Sequence, residues 1–198
     1  TVPEDTYGVQ VDALLPDTTT AAVISASLTL QGDKTYDVIA IDTVANIMPL
    51  VIENDFTEVS DGNVRVQVVH AAPNAPQVDI YVTAPDDDLT LAQPLATAAF
   101  MDFTGQVEVP AGDYQIRITP AGDGTVVFDS GSLSLAAGAD LLVMATQSVV
   151  AGDSPVTLLV ADGTTSFTVV DADAGSELRV VHSVADAPAV DVIANNAL

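Results

Sequence analysis

The chain contains an internal repeat, and this feature most constrains how it can fold. The segment Val66–Ile80 reads VQVVHAAPNAPQVDI and returns as LRVVHSVADAPAVDV at Leu178–Val192, with a constant offset of 112 residues and no gap. A second match relates Val2–Val11 to Val109–Ile118 at an offset of 107. Matches at a fixed spacing predict tandem units of similar structure.

The two matches divide the chain into one complete unit and two partial ones. We predict that residues 1–59 are the C-terminal half of a first β-sandwich repeat and that residues 60–170 are a complete repeat. Residues 171–198 are then a linker followed by the N-terminal strands of a third repeat. Because unpaired strand edges attract other strands, we expect the partial units to self-associate or to pack on neighbouring repeats of the same protein.

Alternating apolar and polar residues predict strands throughout the complete unit. Val64, Val66 and Val68 alternate with Arg65 and Gln67, which is the period of a strand with one buried face. Proline- and glycine-containing turns separate the predicted strands, which are 95–103, 106–109, 113–119, 125–129, 132–135, 141–150 and 156–161. The pattern predicts an all-β fold, an antiparallel β-sandwich of immunoglobulin-like size, repeated in tandem. A short helix over 91–99 is an alternative to a strand there.

Charge and composition exclude several classes of function. The 198 residues include 28 Asp and Glu but only 4 Lys and Arg, which gives a formal net charge of -24. Four cations cannot form the basic face that a nucleic-acid partner requires. The chain has no Cys, so disulfide scaffolds and cysteine-ligated metals are excluded. No apolar run has the length of a membrane span.

The segment from Arg65 to Tyr81 resembles the opening of the bacterial and archaeal family called domain of unknown function 4397. The copy at Leu178–Val192 is similar to the same opening, and the turn Val109–Tyr114 is similar to the hairpin in the middle of that domain. The resemblance implies a secreted or surface-anchored β-sandwich module that occurs in tandem, and no settled catalytic activity comes with the family.

The repeated polar residues are the candidates for ligand binding. His70 ends a strand beside a proline-containing loop, and its ring is expected either to pack on that loop and bond a backbone carbonyl or to contact a ligand. Asp79 is expected to hold the preceding loop or to bind a ligand, and Asn74 to cap the turn. The candidate ligand-binding residues are His70, Asn74, Asp79, His182, Asp186 and Asp191.

Acidic residues are concentrated in the two junctions between units. Calcium takes six to eight oxygen ligands from such groups, so one ion at a junction would stiffen it. The alternative is a solvated linker, which a chain this acidic produces by chance. We expect no cofactor, with calcium as the alternative, and its candidate ligands are Asp55, Glu58, Asp61, Asp171, Asp173 and Glu177.

These observations predict a module without catalytic activity. The sequence contains no G-x-S-x-G, H-E-x-x-H or phosphate-loop motif. We expect a structural or interaction module on the outside of a bacterium or archaeon, in a stalk, surface layer or filament that assembles by strand addition between chains. The alternative is an adhesive module that binds a ligand or glycan through the loop after His70.

Overall fold

The structure, a computed structural model, describes residues 2–14, 18–149 and 154–175. These ranges contain thirteen strands and one 3-10 turn at Leu89–Leu91. No helix within them is long and apolar enough to cross a membrane. The strands are β1 (Asp5–Leu14), β2 (Thr20–Leu30), β3 (Lys34–Ile41), β4 (Met48–Asp55), β5 (Asn63–His70), β6 (Val78–Thr83), β7 (Ala96–Ala98), β8 (Val107–Pro110), β9 (Gly112–Pro120), β10 (Phe128–Leu135), β11 (Asp140–Gln147), β12 (Val156–Ala161) and β13 (Ser166–Val169).

Strands β5 to β13 form two sheets that pack face to face. The four-stranded sheet has the order β10-β9-β6-β7, and the five-stranded sheet has the order β13-β12-β11-β5-β8. Their facing side chains form one core, in which Val64, Ile80, Ile118, Phe128 and Leu158 are at most 1% exposed. All pairs are antiparallel except β5 with β11. The predicted all-β fold is confirmed, and the arrangement of sheets is that of a sandwich.

The hairpin β1–β2 has the same local geometry as the hairpin β9–β10. Tyr7 faces Leu28 across β1–β2, and Tyr114 faces Leu133 across β9–β10. Each tyrosine hydroxyl also donates to the carbonyl of the proline four residues earlier, Tyr7 to Pro3 at 2.9 Å and Tyr114 to Pro110 at 2.8 Å. The sequence match therefore coincides with a shared strand register and a shared tyrosine contact.

The hairpin β3–β4 forms a third layer on the outer face of the five-stranded sheet. Ile41, Leu50 and Ile52 of the hairpin pack against Val69 of β5 and Met144 of β11. All five side chains are at most 8% exposed. The residues of β5 that the alternation assigned to the outer face are therefore buried as well.

Three of the predicted strands differ clearly from those observed. The prediction over 95–103 holds only for β7, because Met101 has a positive φ of 78° and turns the chain so that its N–H donates to His70 O at 2.9 Å. The predictions over 125–129 and 132–135 are parts of one strand, β10, which has an irregularity in register between Asp129 and Ser132. Gly131 supplies the positive φ of 61° at that irregularity.

Candidate functional site

His70 points into the sandwich at the end of β5 and holds the loop that follows. Its ring is 1% exposed, and its Nε2 lies 3.1 Å from the carbonyl oxygen of Pro76. Its Nδ1 accepts from Ala72 N–H at 3.4 Å. This is the loop-packing role predicted for His70, and a ligand would reach the ring only if the loop moved.

Asp79 holds two neighbouring segments to β6. Its carboxylate accepts from the Thr97 hydroxyl on β7 and from Gly122 N–H in the turn after β9, at 2.9 Å in the second case. The hydrogen bond from Thr97, and then the one from Gly122, lower the pKa of Asp79 below its usual value. The residue thus supports the strands around the loop, and its side chain is buried.

Asn74 contacts the end of β11 instead of capping its own turn. Its side-chain amide donates to Gln147 Oε1 at 2.8 Å, across to the end of β11. Gln147 and Pro73 line a cavity of about 270 Å³ between the sandwich and the β3–β4 hairpin. Asn74 is therefore a predicted ligand-binding residue that is exposed to solvent and lies near a cavity.

Arg65 is the residue that organises the first junction, and sequence reasoning did not single it out. Its guanidinium donates to Thr57 O at 2.8 Å, to Glu58 O at 3.0 Å and to the Thr57 hydroxyl at 2.9 Å. It also pairs with Glu108 at 2.8 Å and with Asp140 at 3.1 Å, while being only 4% exposed. The arginine fixes residues 57–58 against the edge of the sandwich.

The carboxylates of this junction have internal partners. Hydrogen bonds from Ser60, followed by those from Arg65, lower the pKa of Glu108 from 4.5 to about 2. Asp55 pairs with Lys34 at 2.6 Å, and this contact lowers the pKa of Asp55. The positive charges nearest to the junction are therefore used within the fold.

The predicted calcium ligands do not converge in the part of the chain that the structure describes. No group of three or more acidic or histidine side chains in those ranges is arranged to hold a metal ion. Asp55 pairs with Lys34, and Glu58 contributes its carbonyl oxygen to Arg65. Asp61 lies in the exposed turn before β5.

At the second junction, Asp171 fastens the chain to the edge of the four-stranded sheet. Its carboxylate accepts from Asp129 N–H and from Asp173 N–H, each at 2.9 Å. Ala172 N–H donates to Asp129 O at 2.7 Å. Asp171 and Asp173 also line a cavity of about 810 Å³ together with Arg117. The predicted residues Glu177, His182, Asp186 and Asp191 lie outside the described residues.

These contacts hold loops and junctions of the described residues to the strands of the sandwich. His70, Asp79, Arg65 and Asp171 each join a loop or junction to a strand through hydrogen bonds. Such bonds stabilise loops because they satisfy buried donors and acceptors.

The chain was compared with known proteins. Residues 1–81 match the family model described as Domain of unknown function (DUF4397). The matched range ends at Tyr81 in β6 and includes the first copy of the opening motif. This confirms the resemblance over those residues. No curated protein matches the chain.

Proposed function

We propose that this chain, whose residues 1–81 match the DUF4397 family model, is a structural or interaction module of the cell exterior that has no catalytic activity. It would form part of a stalk, surface layer or filament in a bacterium or archaeon. The observation that carries the proposal is a pair of hairpins, β1–β2 and β3–β4, each of which forms a sheet of only two strands among the described residues. Within the described ranges, β1 pairs only with β2, and β3 only with β4.

The equivalent strands of the complete unit have partners on both sides. β9, which matches β1, lies between β10 and β6, and β11 lies between β12 and β5. Among the described residues, the half-unit therefore presents two strand edges where the complete unit has additional strands. Unpaired edges of this length are templates for the addition of another strand.

The packing between the half-unit and the sandwich supports a role in building arrays. The β3–β4 hairpin buries Ile52 completely against the five-stranded sheet, and Arg65 fixes the segment that connects them. A joint with an apolar contact and a multiply hydrogen-bonded arginine resists bending, which suits successive modules of an extended assembly.

The proposal predicts that the chain of 198 residues self-associates. Size-exclusion chromatography with light scattering should give a mass above 20.3 kDa that increases with protein concentration. The measurement should be made over a range of salt concentrations, because the strong negative charge opposes association at low salt. A single species of 20.3 kDa under all of these conditions would contradict the proposal.

The alternative proposal is an adhesive module that binds a ligand or glycan through the loop after His70. The cavity of about 270 Å³ beside Pro73 and Gln147 is the observation that favours it. Asn74→Ala and Gln147→Ala would then abolish a signal on a glycan array without lowering the melting temperature.

A further inference from the structure

Asp37 on strand β3 carries a carboxyl group that is partly buried and lies near another carboxylate. Asp37 is half-buried and lines a cavity of about 230 Å³ with Gln67, Asp140 and Leu142. Burial, and then the negative charge of Asp140, raise the pKa of Asp37. Within the described ranges its side chain takes part in no ion pair. A cation placed beside Asp37 would therefore stabilise this strand.

The alignment of the half-unit with the complete unit identifies which strand β3 corresponds to. Ser27–Leu30 matches Ser132–Leu135 at an offset of 105 residues, and the same offset continues without a gap to match Val38-Ile39-Ala40 with Val143-Met144-Ala145. The turns agree as well, because Asp33 has a φ of 58° and Gly138, its equivalent, has a φ of 80°. At this offset Asp37 corresponds to Leu142 of β11.

In the complete unit, β11 pairs in parallel with β5. The register places Leu142 beside Gln67 and Val143 beside Val68. Leu178–His182 repeats the sequence of β5 at an offset of 112, so that Arg179 corresponds to Gln67. A strand formed by these residues and paired with β3 in the same register would place Arg179 beside Asp37.

We propose that Leu178–His182 of a second copy of this chain adds in parallel to the edge of β3 that has no partner among the described residues, with Arg179 beside Asp37. This inference rests on the proposed function, and it names the partner and the register. The proposed strand pair contains opposite charges at a position where the complete unit has a neutral pair. Leu142 and Gln67 are neutral, whereas the half-unit and the repeated opening carry a matching acid and base.

Of the four cations in the chain, the three in the described ranges have partners there, and Arg179 is the fourth. Lys34 pairs with Glu53 and Asp55. Arg65 pairs with Glu108 and Asp140. Arg117 donates to the Thr83 hydroxyl at 2.8 Å and to the Asp87 carbonyl at 2.7 Å.

The position of the second junction favours a second copy over the same chain. Ala172 N–H donates to Asp129 O, and Gly175 lines a cavity with Phe128 of the four-stranded sheet. The β3–β4 layer lies beyond the five-stranded sheet, which at about 10 Å per layer is roughly 20 Å away. The three residues from Gly175 to Leu178 span at most about 10 Å. The same chain would have to release the second junction to reach β3.

The test uses two charge-reversing variants of the full chain, Asp37→Arg and Arg179→Asp. Each variant alone brings like charges together across the new strand pair, so its self-association should weaken at least about tenfold. In an equimolar mixture, every pairing between a copy of one variant and a copy of the other restores opposite charges. Analytical ultracentrifugation should therefore show association in the mixture that neither variant shows alone.

A milder variant separates the loss of association from misfolding. Because burial raises the pKa of Asp37, Asp37→Asn should keep or raise the melting temperature at neutral pH while weakening association. Asp113→Asn, which makes the same change at an exposed position on β9, is the matched control and should leave association unchanged.

The possible outcomes distinguish the inference from the proposed function. Self-association that is unaffected by all changes at positions 37 and 179 would overturn the inference and leave the proposed function standing. A mixture of folded variants that does not associate would overturn pairing between copies. A wild-type chain that is monomeric at every concentration and salt would overturn both.

Discussion

At the scale of single residues, several polar side chains in this protein hold separate segments of the chain together through hydrogen bonds. Arg65 is almost fully buried, yet it makes hydrogen bonds to two backbone carbonyls and pairs with two carboxylates. Burying a guanidinium is costly unless its donors are satisfied, and here three different segments satisfy them. The stability of the first junction therefore depends on this one side chain and on the ionisation of its partner Glu108.

The pKa of Glu108 gives a prediction for acid stability. Its folded-state pKa of about 2 lies below the ordinary value of 4.5, so the ionised carboxylate stabilises the folded protein. This contribution is complete above about pH 4.5 and is lost as the pH falls towards 2. The melting temperature should therefore fall over this interval, and Glu108→Gln should reduce the fall while lowering the melting temperature at pH 7.

Asp61→Asn is the control for this experiment, because Asp61 is exposed and shows no contact with the arginine. Its acid transition should follow that of the wild type. An acid transition for Glu108→Gln as steep as the wild type would show that the carboxylate does not act through its charge.

These side-chain contacts differ in how far the sequence predicts them. The role of His70 in holding its loop follows from its place at the end of an apolar strand face beside Pro76, and the structure has that contact. Alternation predicts an outward-facing Arg65. It cannot show that residues 57–58 fold back over this side chain. The sequence also does not predict the contact of Asn74 with Gln147, since the two residues are distant in sequence.

At the scale of elements, the β3–β4 hairpin is the part whose stability depends most on a neighbour. Two strands alone do not form a stable unit in water. This hairpin obtains its apolar contacts from Val69 and Met144 of the complete unit. Ile52 lies at the centre of that contact and is fully buried, whereas its neighbour Val51 is 38% exposed on the opposite face.

Ile52→Ala should therefore detach the hairpin from the sandwich. Removing a buried isoleucine costs about 2–5 kcal/mol, which should appear as faster amide exchange throughout β3 and β4 with little change in β9–β12. The measurement is hydrogen exchange by mass spectrometry. Val51→Ala is the matched control and should cost about 1 kcal/mol or less, because that side chain is already partly in water. Equal effects of the two variants would contradict the packing of this hairpin as a third layer.

The elements were predicted best where periodicity alone decides the structure. β12 has the predicted limits, 156–161, and β9 differs from its prediction by one residue at each end. The prediction over 95–103 was wrong beyond Ala98, because a positive φ at Met101 is unusual for a residue with a side chain and no local pattern indicates it. The third layer has no signal of its own, since it results from contacts between units.

At the scale of the whole molecule, the charge sets the conditions under which the fold and any assembly are stable. A formal net charge of -24 on 198 residues produces repulsion among carboxylates that mobile ions screen. The melting temperature should rise as potassium chloride is added from low to molar concentration. Sucrose at matched osmolality is the control without charge, and a rise of equal size in sucrose would show that screening is not the cause.

The strand directions of the complete unit determine how it would respond to tension. β13 is antiparallel to β12, β12 is antiparallel to β11, and β11 is parallel to β5, so the first and last strands of the unit run in the same direction. The start of β5 and the end of β13 consequently lie at opposite ends of the sheet. A force applied at these two points acts along the strands. The interstrand hydrogen bonds of each strand pair are therefore loaded together in shear instead of breaking one after another.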